Sequence, residues 1–278
     1  MAHGKRSKTG EISTFILAMM ILAATAAVAF HADQAFGGTG TLKVLSFSSP
    51  PSSKILGNQE LAGFSLIIEG ESGFSGSGSG TPEDPYVITN VQQLQEMKYD
   101  LDAYYVLGND IDASETVDWN GGAGFEPVGS EIRPEFESLL WLFPSHKPTR
   151  IFKSFDGTLD GRDHKILHLH INNNSDRAGL FSVLTGTVKD LVLEDVSVSA
   201  GSGTEKTGAL AGLANATIED VHVTGTVTGY NQVGGLVGHQ EGGLIADSSS
   251  NANVVANNWC AGGLVGLAWG TVSKSHSS

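Results

Sequence analysis

The sequence predicts an all-β protein, a right-handed parallel β-helix, and three observations support this prediction. Glycine accounts for 36 of the 278 residues, about 13% against a usual ~7%. A short Gly-Leu motif returns at intervals close to 27 residues in the second half of the chain. Within each repeat, apolar and polar residues alternate in short segments bounded by Gly, Asn and Asp, the pattern of strands joined by turns.

The acidic composition excludes two classes of partner. The chain has 30 Asp and Glu against 16 Lys and Arg, for a formal charge of −14. Nucleic acid and anionic membrane surfaces both require a positive protein surface, so we expect neither as a partner. Cys260 is the single cysteine, which excludes an intrachain disulfide or a multi-cysteine metal site.

The first thirty residues have the pattern of an export segment. Basic residues at positions 5–8 precede an uncharged apolar run over 15–30, which places the N-terminus inside and the rest of the chain outside. The sequence leaves open a signal peptide ending at Ala27-Val28-Ala29, a retained anchor at 15–30, and pilin-like processing at Gly10-Glu11. All three predict an extracellular or cell-surface protein whose only membrane contact is this N-terminal segment.

Residues 31–79 are predicted to form a membrane-proximal segment. It contains two strand-like runs, Thr41–Phe47 and Gly63–Glu69. The run Gly70–Gly80 alternates Gly and Ser, which is typical of a flexible linker. The sequence therefore predicts a boundary near residue 80.

Residues 80–151 are predicted to form the N-terminal cap of the β-helix. Val91–Leu101 has apolar residues at helical spacing, and Asn90 is a suitable N-cap. Tyr104–Asp112 is predicted as a strand. Residues 129–150 have no clear period and three prolines, and are interpreted as an inserted loop with a short apolar helix.

Residues 152–278 are predicted to form the β-helix itself. The repeated motif comprises Gly179-Leu180, Gly208 with Leu210, Gly234-Gly235-Leu236 and Gly262-Gly263-Leu264. Three further columns follow in one register: Val188, Ile218, Ile245, Val272; Leu191, Val221, Ser248, Ser275; and Leu193, Val223, Ser250, Ser277. We expect the inward serines to bond one another or the backbone, and the glycine pairs to adopt positive φ or allow close coil approach.

The last repeat stops at Ser278, partway through its unit. A coil cut there would expose an unpaired strand edge. Either a partner covers this edge or the sequence is a fragment of a longer protein, and we favour the fragment.

The segments GGLVGHQEGGLIADSSSNANV (234–254) and GGLVGLAWGTVSKSHSS (262–278) resemble the GLUG-motif repeats, and 208–229 is a looser copy. Preceding segments from residue 78 resemble the region that introduces such repeats. The resemblance implies a secreted or surface protein of bacteria or archaea, in a family with adhesin-like members and members joined to peptidase domains. It implies no catalytic residues, because none belong to the repeat.

Three histidines form the sharpest polar cluster. In one continuous strand, His164, His168 and His170 would share a face. We expect the opposite, inward face to hold Leu167, Leu169 and Ile171. The histidines are candidates for binding Zn or Cu, although His164 lies too far along the strand to share an ion easily with the other two. The alternative is an exposed polar strand face.

Two carboxylate groups allow further hypotheses. Oxygen ligands for Ca²⁺ could come from Asp110, Asp112, Asp118, Asn109 and Asn120, and the alternative is an acidic surface loop; no other cofactor is predicted. A polysaccharide-cleaving groove could use Asp156, Asp160 and Asp163 with Arg162. Since Asp-Gly pairs mark turns, turn chemistry is the alternative interpretation there.

Nucleophilic catalysis lacks a G-x-S-x-G motif, and we expect Cys260 to be a small buried hydrophobe. Asn173 and Asn215 begin N-x-S/T sequons that could carry glycans outside the cell.

The sequence thus predicts a non-enzymatic extracellular or cell-surface β-solenoid that acts as an adhesive or structural module. Its expected partner is a surface glycan or protein. The alternatives are a carbohydrate-active β-helix enzyme, either a polysaccharide lyase or a glycosidase, and a pilin-like filament subunit.

Overall fold

A computed structural model of the chain describes residues 73–129, 131–132, 151–173 and 175–278. These residues form a parallel β-solenoid of about four turns with one short α-helix. The predicted export segment, the strand-like runs before residue 73 and the interior of the 129–150 insertion lie outside the described residues. Among the helices within those ranges, none is both long enough and apolar enough to cross a bilayer.

The N-terminal elements are β1 (Tyr86–Ile88), α1 (Val91–Glu96), the 3-10 helix η1 (Met97–Tyr99), β2 (Tyr104–Leu107), β3 (Ile111–Asp112), the 3-10 segment η2 (Ser114–Gly122), β4 (Glu131–Ile132) and β5 (Ile151–Phe152). The first coil strands are β6 (Thr158–Asp160), β7 (Lys165–Leu167), β8 (His170–Asn173), β9 (Arg177–Ala178), β10 (Phe181–Leu184), β11 (Thr187–Ala200) and β12 (Lys206–Gly208). The later ones are β13 (Ala211–Gly229), β14 (Gln232–Gly234), β15 (Val237–Ala246), β16 (Ser249–Ala256), β17 (Ala261–Gly262), β18 (Val265–Ala268), β19 (Thr271–Ser273) and β20 (His276–Ser277).

The predicted helix and its cap are confirmed, although the α-helix is shorter than expected. The Asn90 side-chain oxygen accepts a hydrogen bond from the Gln93 N–H at 2.9 Å, which satisfies an otherwise free donor of the first turn. Leu94 of α1 and Met97 of η1 are fully buried, so both helices pack their apolar side chains into the core. The predicted strand Tyr104–Asp112 is divided into β2 and β3.

The second half of the predicted linker is packed rather than free. The Phe74 ring lies 4.5 Å from that of Tyr86 and 5.7 Å from that of Tyr105, measured between centroids. The Tyr104 N–H donates to the Gly80 carbonyl at 2.9 Å. Residues 73–80 therefore belong to the folded unit, because one phenyl ring among the Gly and Ser residues anchors them to the end of the core.

The repeat columns predicted from the sequence are paired in the structure. Val188 aligns with Ile218, Ile218 with Ile245, and Ile245 with Val272 in parallel register. The Leu193 column aligns in the same way through β13, β16 and β20. A second, short sheet of β9, β12, β14 and β17 stacks alongside in the same coil order. Residues one repeat apart in the sequence are therefore paired neighbours in adjacent coils.

Glycine pairs of the repeat serve close coil approach. A side chain at Gly234 would collide with the Val237 carbonyl, and one at Gly235 would collide with the Ser250 hydroxyl. Neither residue has a positive φ, and the same holds for Gly262 and Gly263. Of the two roles expected for these glycines, the structure therefore shows the steric one.

Inward serines are bonded to the backbone, as expected. Ser248 Oγ accepts from the Val221 N–H at 3.1 Å and donates to the Ala246 carbonyl at 2.7 Å. Ser275 Oγ repeats both bonds one coil later, with the Ser248 N–H and the Ser273 carbonyl. Because each hydroxyl has a donor and an acceptor on the main chain, the interior accommodates it.

The insertion leaves and rejoins the solenoid at adjacent points. Its base strands, β4 and β5, pair antiparallel, with Glu131 opposite Phe152. Elsewhere, Cys260 is only partly buried, which contradicts the expectation of a buried hydrophobe. Its neighbour Trp259 is 64% exposed, because this turn lies outside the packed column.

Candidate functional site

An open cleft of about 510 Å³ lies beside η2, at the strands β8 and β11. Its walls include Asp112, Val117, His168, His170, Asp195 and Ser197. The cleft brings together two of the three histidines that the sequence singled out, and adds carboxylates from two other coils.

A left-handed residue separates β7 from β8. His168, directly after Leu167, has φ 56°, a region that histidine enters more readily than most non-glycine residues. This residue shifts the strand alternation, so that Ile166 is fully buried and Leu167 is not. The expectation that Leu167 faces inward is therefore wrong, whereas the expected burial of Leu169 and Ile171 is confirmed.

The His168 ring lies between two carboxylates. Its Nδ1 is 3.2 Å from Asp112 Oδ1, and its Nε2 is 3.9 Å from Asp195 Oδ2. The Ser114 N–H donates to the same Asp112 oxygen at 3.0 Å. This backbone bond, and after it the bond with His168, holds the pKa of the Asp112 carboxyl below its ordinary value. An ionised Asp112 favours the tautomer with the proton on Nδ1, which leaves Nε2 free as a ligand or base.

His164 forms a separate pair. Its Nδ1 is 3.2 Å from Asp110 Oδ1, which also accepts the Lys165 N–H at 2.9 Å. The Lys165 N–H is the main reason that the pKa of the Asp110 carboxyl is lowered, and the His164 bond adds to it. The structure thus places His164 outside the cleft that His168 and His170 share.

The candidate Ca²⁺ ligands are spread over separate contacts. Asp110 and Asp112 each face a histidine. The side-chain amides of Asn109 and Asn120 donate to main-chain carbonyls at 3.2 and 2.8 Å. Asp118 lies on the exposed surface of η2. The five candidates therefore occupy different local networks, and Ca²⁺ binding by this set stays a prediction.

The Asp-Gly segment shows turn chemistry. Asp160 Oδ1 accepts the Arg162 N–H at 2.9 Å, closing a turn over its own backbone. Its other oxygen lies 2.7 Å from Lys189 Nζ. Asp156 accepts the Ser154 hydroxyl at 2.7 Å. The bond to the Arg162 N–H supports the turn interpretation of Asp160, whereas Asp156 bonds a neighbouring hydroxyl rather than its own backbone.

The sequence did not single out Asp195, or the stacking of Asp163 with Asp190 and Asp220. Within the described ranges, these last three form the one group of at least three acidic, histidine or cysteine side chains whose ligand atoms lie within 4.8 Å of one another. A simple signal was present: Asp190 follows Asp163, and Asp195 follows His168, by 27 residues. Adding the repeat length to a bend residue identifies its neighbour in the next coil.

Comparison with known proteins identifies the repeat. Residues 229–255 match the family model described as the GLUG motif. The chain is 37% identical to halomucin of Haloquadratum walsbyi over 181 residues, which cover 62% of this chain and 2% of halomucin. It is 29% identical to the immunoglobulin A1 protease of Streptococcus sanguinis over 181 residues, or 62% of this chain and 8% of that protein.

A further relative is the zinc metalloprotease ZmpC of Streptococcus pneumoniae, 28% identical over 226 residues, or 75% of this chain and 10% of that protein. The chain therefore spans a small part of the length of these relatives. No solved structure matches the chain. The matched residues span β14, β15 and most of β16, so this stretch of the chain carries a GLUG motif.

Proposed function

We propose that the chain is a non-enzymatic extracellular β-solenoid module that acts as an adhesive or structural element at a cell surface. The observation that carries this proposal is the parallel pairing of successive coils through β11, β13, β15 and β16, which resumes after register shifts between Leu193 and Val196 and between Ala214 and Asn215. Stacked coils of this kind present extended lateral faces to large partners and resist bending.

The relatives support a modular role. The matched stretch is 2% of halomucin and 8% of the immunoglobulin A1 protease. A segment shared by proteins with such different names is expected to supply binding or spacing rather than the activity of each. The given sequence also contains no H-E-x-x-H zinc-protease motif.

Surface location is tested by protease accessibility. Intact source cells are treated with an external protease, and the 73–278 unit is followed by antibody. The basic and apolar N-terminal pattern predicts loss of the signal without cell lysis. Full protection in intact cells, with digestion after lysis, would contradict the proposed location.

A glycan is the partner class favoured by the exposed aromatic residues of the last coils. Trp259 and Trp269 are 64% and 69% exposed, and exposed indole rings provide flat surfaces for stacking. The labelled full chain is tested against immobilised extracellular polysaccharides and proteins. We expect saturable polysaccharide binding that Trp259→Ala with Trp269→Ala weakens and that the matched control Tyr104→Ala retains.

Two results would overturn this proposal. The first is an absence of saturable binding to every polysaccharide and protein surface together with protection in intact cells. The second is release of reducing or unsaturated ends from a polysaccharide that is lost in Asp160→Ala, which would establish the enzyme alternative.

A further inference from the structure

We propose that the cleft binds one divalent transition-metal ion of the Zn²⁺ class, with His168 and Asp195 as ligands and His170 as the third. Asp112 acts as a positioning residue that orients the His168 ring. This inference does not depend on the proposed adhesive role, because it concerns the chemistry of the cleft alone.

The two ligand atoms are already close enough to share one ion. His168 Nε2 and Asp195 Oδ2 are 3.9 Å apart. Zinc binds imidazole nitrogen at about 2.0–2.1 Å and carboxylate oxygen at about 2.0–2.2 Å, so two ligands of one ion lie within about 4.2 Å. A tetrahedral arrangement would need them about 0.5 Å closer. Both side chains are largely exposed, at 49% and 77%, and are free to make that adjustment.

Asp112 supplies the support that metal-binding histidines usually have. A ligating imidazole typically donates its other ring N–H to a carboxylate, which fixes the tautomer and the ring plane. Asp112 Oδ1 is 3.2 Å from His168 Nδ1 and is itself held by the Ser114 N–H. This arrangement directs the Nε2 lone pair away from Asp112, on the side where Asp195 lies.

The stacking of coils is what pairs the two ligands. His168 and Asp195 have φ values of 56° and 53°, and they occupy the same bend in successive coils. The His168 N–H donates to the Glu194 carbonyl at 3.0 Å, which ties the two bends together. His170 follows two residues later and is the other histidine that lines the same cleft, so its imidazole is assigned as the third donor. Its ring has to move on binding, because the ligand atoms of the three residues do not all lie within 4.8 Å of one another.

The donor set selects the class of metal. A mixed nitrogen and oxygen set with two imidazoles suits Zn²⁺ and Co²⁺. Ca²⁺ and Mg²⁺ prefer oxygen ligands only. We therefore expect excess Ca²⁺ not to displace Zn²⁺.

The test is Zn²⁺ binding to the purified full chain at pH 7.5, followed by calorimetry, and Co²⁺ binding followed by visible absorption. We expect saturable binding that includes one ion dependent on the cleft. His168→Gln and Asp195→Asn should each weaken it at least tenfold and abolish the Co²⁺ spectrum of that site; Asn tolerates the left-handed backbone at position 195. Asp112→Asn should weaken affinity by about 10–100-fold while keeping the spectrum.

His164→Gln is the matched control, because His164 has the same 3.2 Å carboxylate contact but, among the described residues, forms no second ion pair. This variant should bind as the unmodified chain does. The proposal is overturned if no Zn²⁺ binds, if His168→Gln binds normally, if His164→Gln is as damaging as His168→Gln, or if Ca²⁺ competes at equal concentration. Circular dichroism of each variant distinguishes lost ligands from lost folding.

Discussion

The early and late coils of the solenoid share one register but fill their interiors differently. In the Leu193 column, the early coils contribute Leu193 and Val223, which pair in register. The next coil contributes Ser250, which is only 1% exposed. In the neighbouring column, Val221 is followed by Ser248. The comparison teaches that coil stacking is set by main-chain pairing, while the interior accepts any side chain that either is apolar or finds backbone partners.

A gradient of burial accompanies this change. The early coils contain a column of aromatic rings. The ring centroids of Tyr105 and Phe155 are 6.1 Å apart, and those of Phe155 and Phe181 are 4.8 Å apart. The column continues as Ala211 and Val237 in later coils. In the separate Val188 column, Val272 of β19 is 42% exposed. We therefore expect ring packing to contribute more to local stability in the early coils than in the coils that contain Ala211 and Val237.

The largest expected effect comes from the ring column. Phe155→Ala removes a fully buried side chain that contacts rings on both sides, and should lower the free energy of unfolding by about 3–5 kcal/mol. Val272→Ala, in the last coil, should change it by less than about 0.5 kcal/mol. Urea unfolding of the two variants measures the difference. Equal losses would mean that the apolar core is not concentrated in the early coils.

A substitution of Ser248 tests how much the buried serine hydroxyl contributes to the stability of the fold. Ser248→Val installs the residue that occupies the same column one coil earlier. It should lower the free energy of unfolding by about 1–3 kcal/mol, because the buried Val221 N–H and Ala246 carbonyl lose their partner. Ser248→Thr keeps the oxygen and should be milder by chemical denaturation. A more stable Ser248→Val would show that the serine bonds contribute little.

Features that repeat along the chain, or that form within one helical turn, could be predicted from the sequence. The Val188 column could be predicted because its period is visible along the chain, and the Asn90 cap because it acts within one turn. Sequence reasoning missed the packing of Phe74, which depends on rings far along the chain. It also missed the inward turn of Ile166, because the left-handed φ of His168 leaves no mark in the hydrophobic pattern.

The candidate site was only half predictable for the same reason. His168 and His170 were found as one cluster, but Asp112 belonged to a different hypothesis and Asp195 to none. Asp112, His168 and Asp195 belong to three different coils, and they are close together because the coils stack. Spacing within one coil cannot show contacts between coils. Adding the repeat length of 27 residues to His168, however, identifies Asp195, one of its two carboxylate partners.

A buried histidine in the later coils should make stability pH-dependent. His239 is 5% exposed, and both ring nitrogens lack a hydrogen-bond partner in the described structure. Burial, followed by the charge of Lys206, lowers the pKa of His239. The unfolded chain takes up the proton near pH 6.5, before the folded chain does, so stability is full above that pH and falls as the pH drops below it.

The matched change is His239→Leu, since Leu213 and Leu267 occupy the same column in the adjacent coils. It should raise the free energy of unfolding by about 1 kcal/mol by removing an unpartnered buried polar group. The gain should be larger at pH 5 than at pH 8 by urea unfolding. The exposed control His276→Gln should keep the pH dependence, and a variant His239→Leu that also keeps it would assign the effect to other groups.

The smallest expected effect lies on the outside, where the early coils again differ from the last. Asp163, Asp190 and Asp220 stack with ligand oxygens within 4.8 Å of one another, whereas in the last coil Lys274 lies 3.7 Å from Asp247. Asp190→Asn removes the middle charge from the like-charged stack, and Asn tolerates the left-handed backbone there. The free energy of unfolding should rise by about 0.5 kcal/mol at low salt.

This gain should disappear at about 1 M NaCl, where the screening length falls to about 3 Å. Asp247→Asn is the control, because it removes the partner of Lys274 and should lower stability slightly at low salt. If Asp190→Asn is instead destabilising at low salt, the carboxylates of the early coils are held by Lys189, 3.1 Å from Asp190, more strongly than they repel. The direction of the change in the free energy of unfolding therefore decides between two cases. Either repulsion among the three carboxylates destabilises the early coils, or the charge of Lys189 offsets that repulsion.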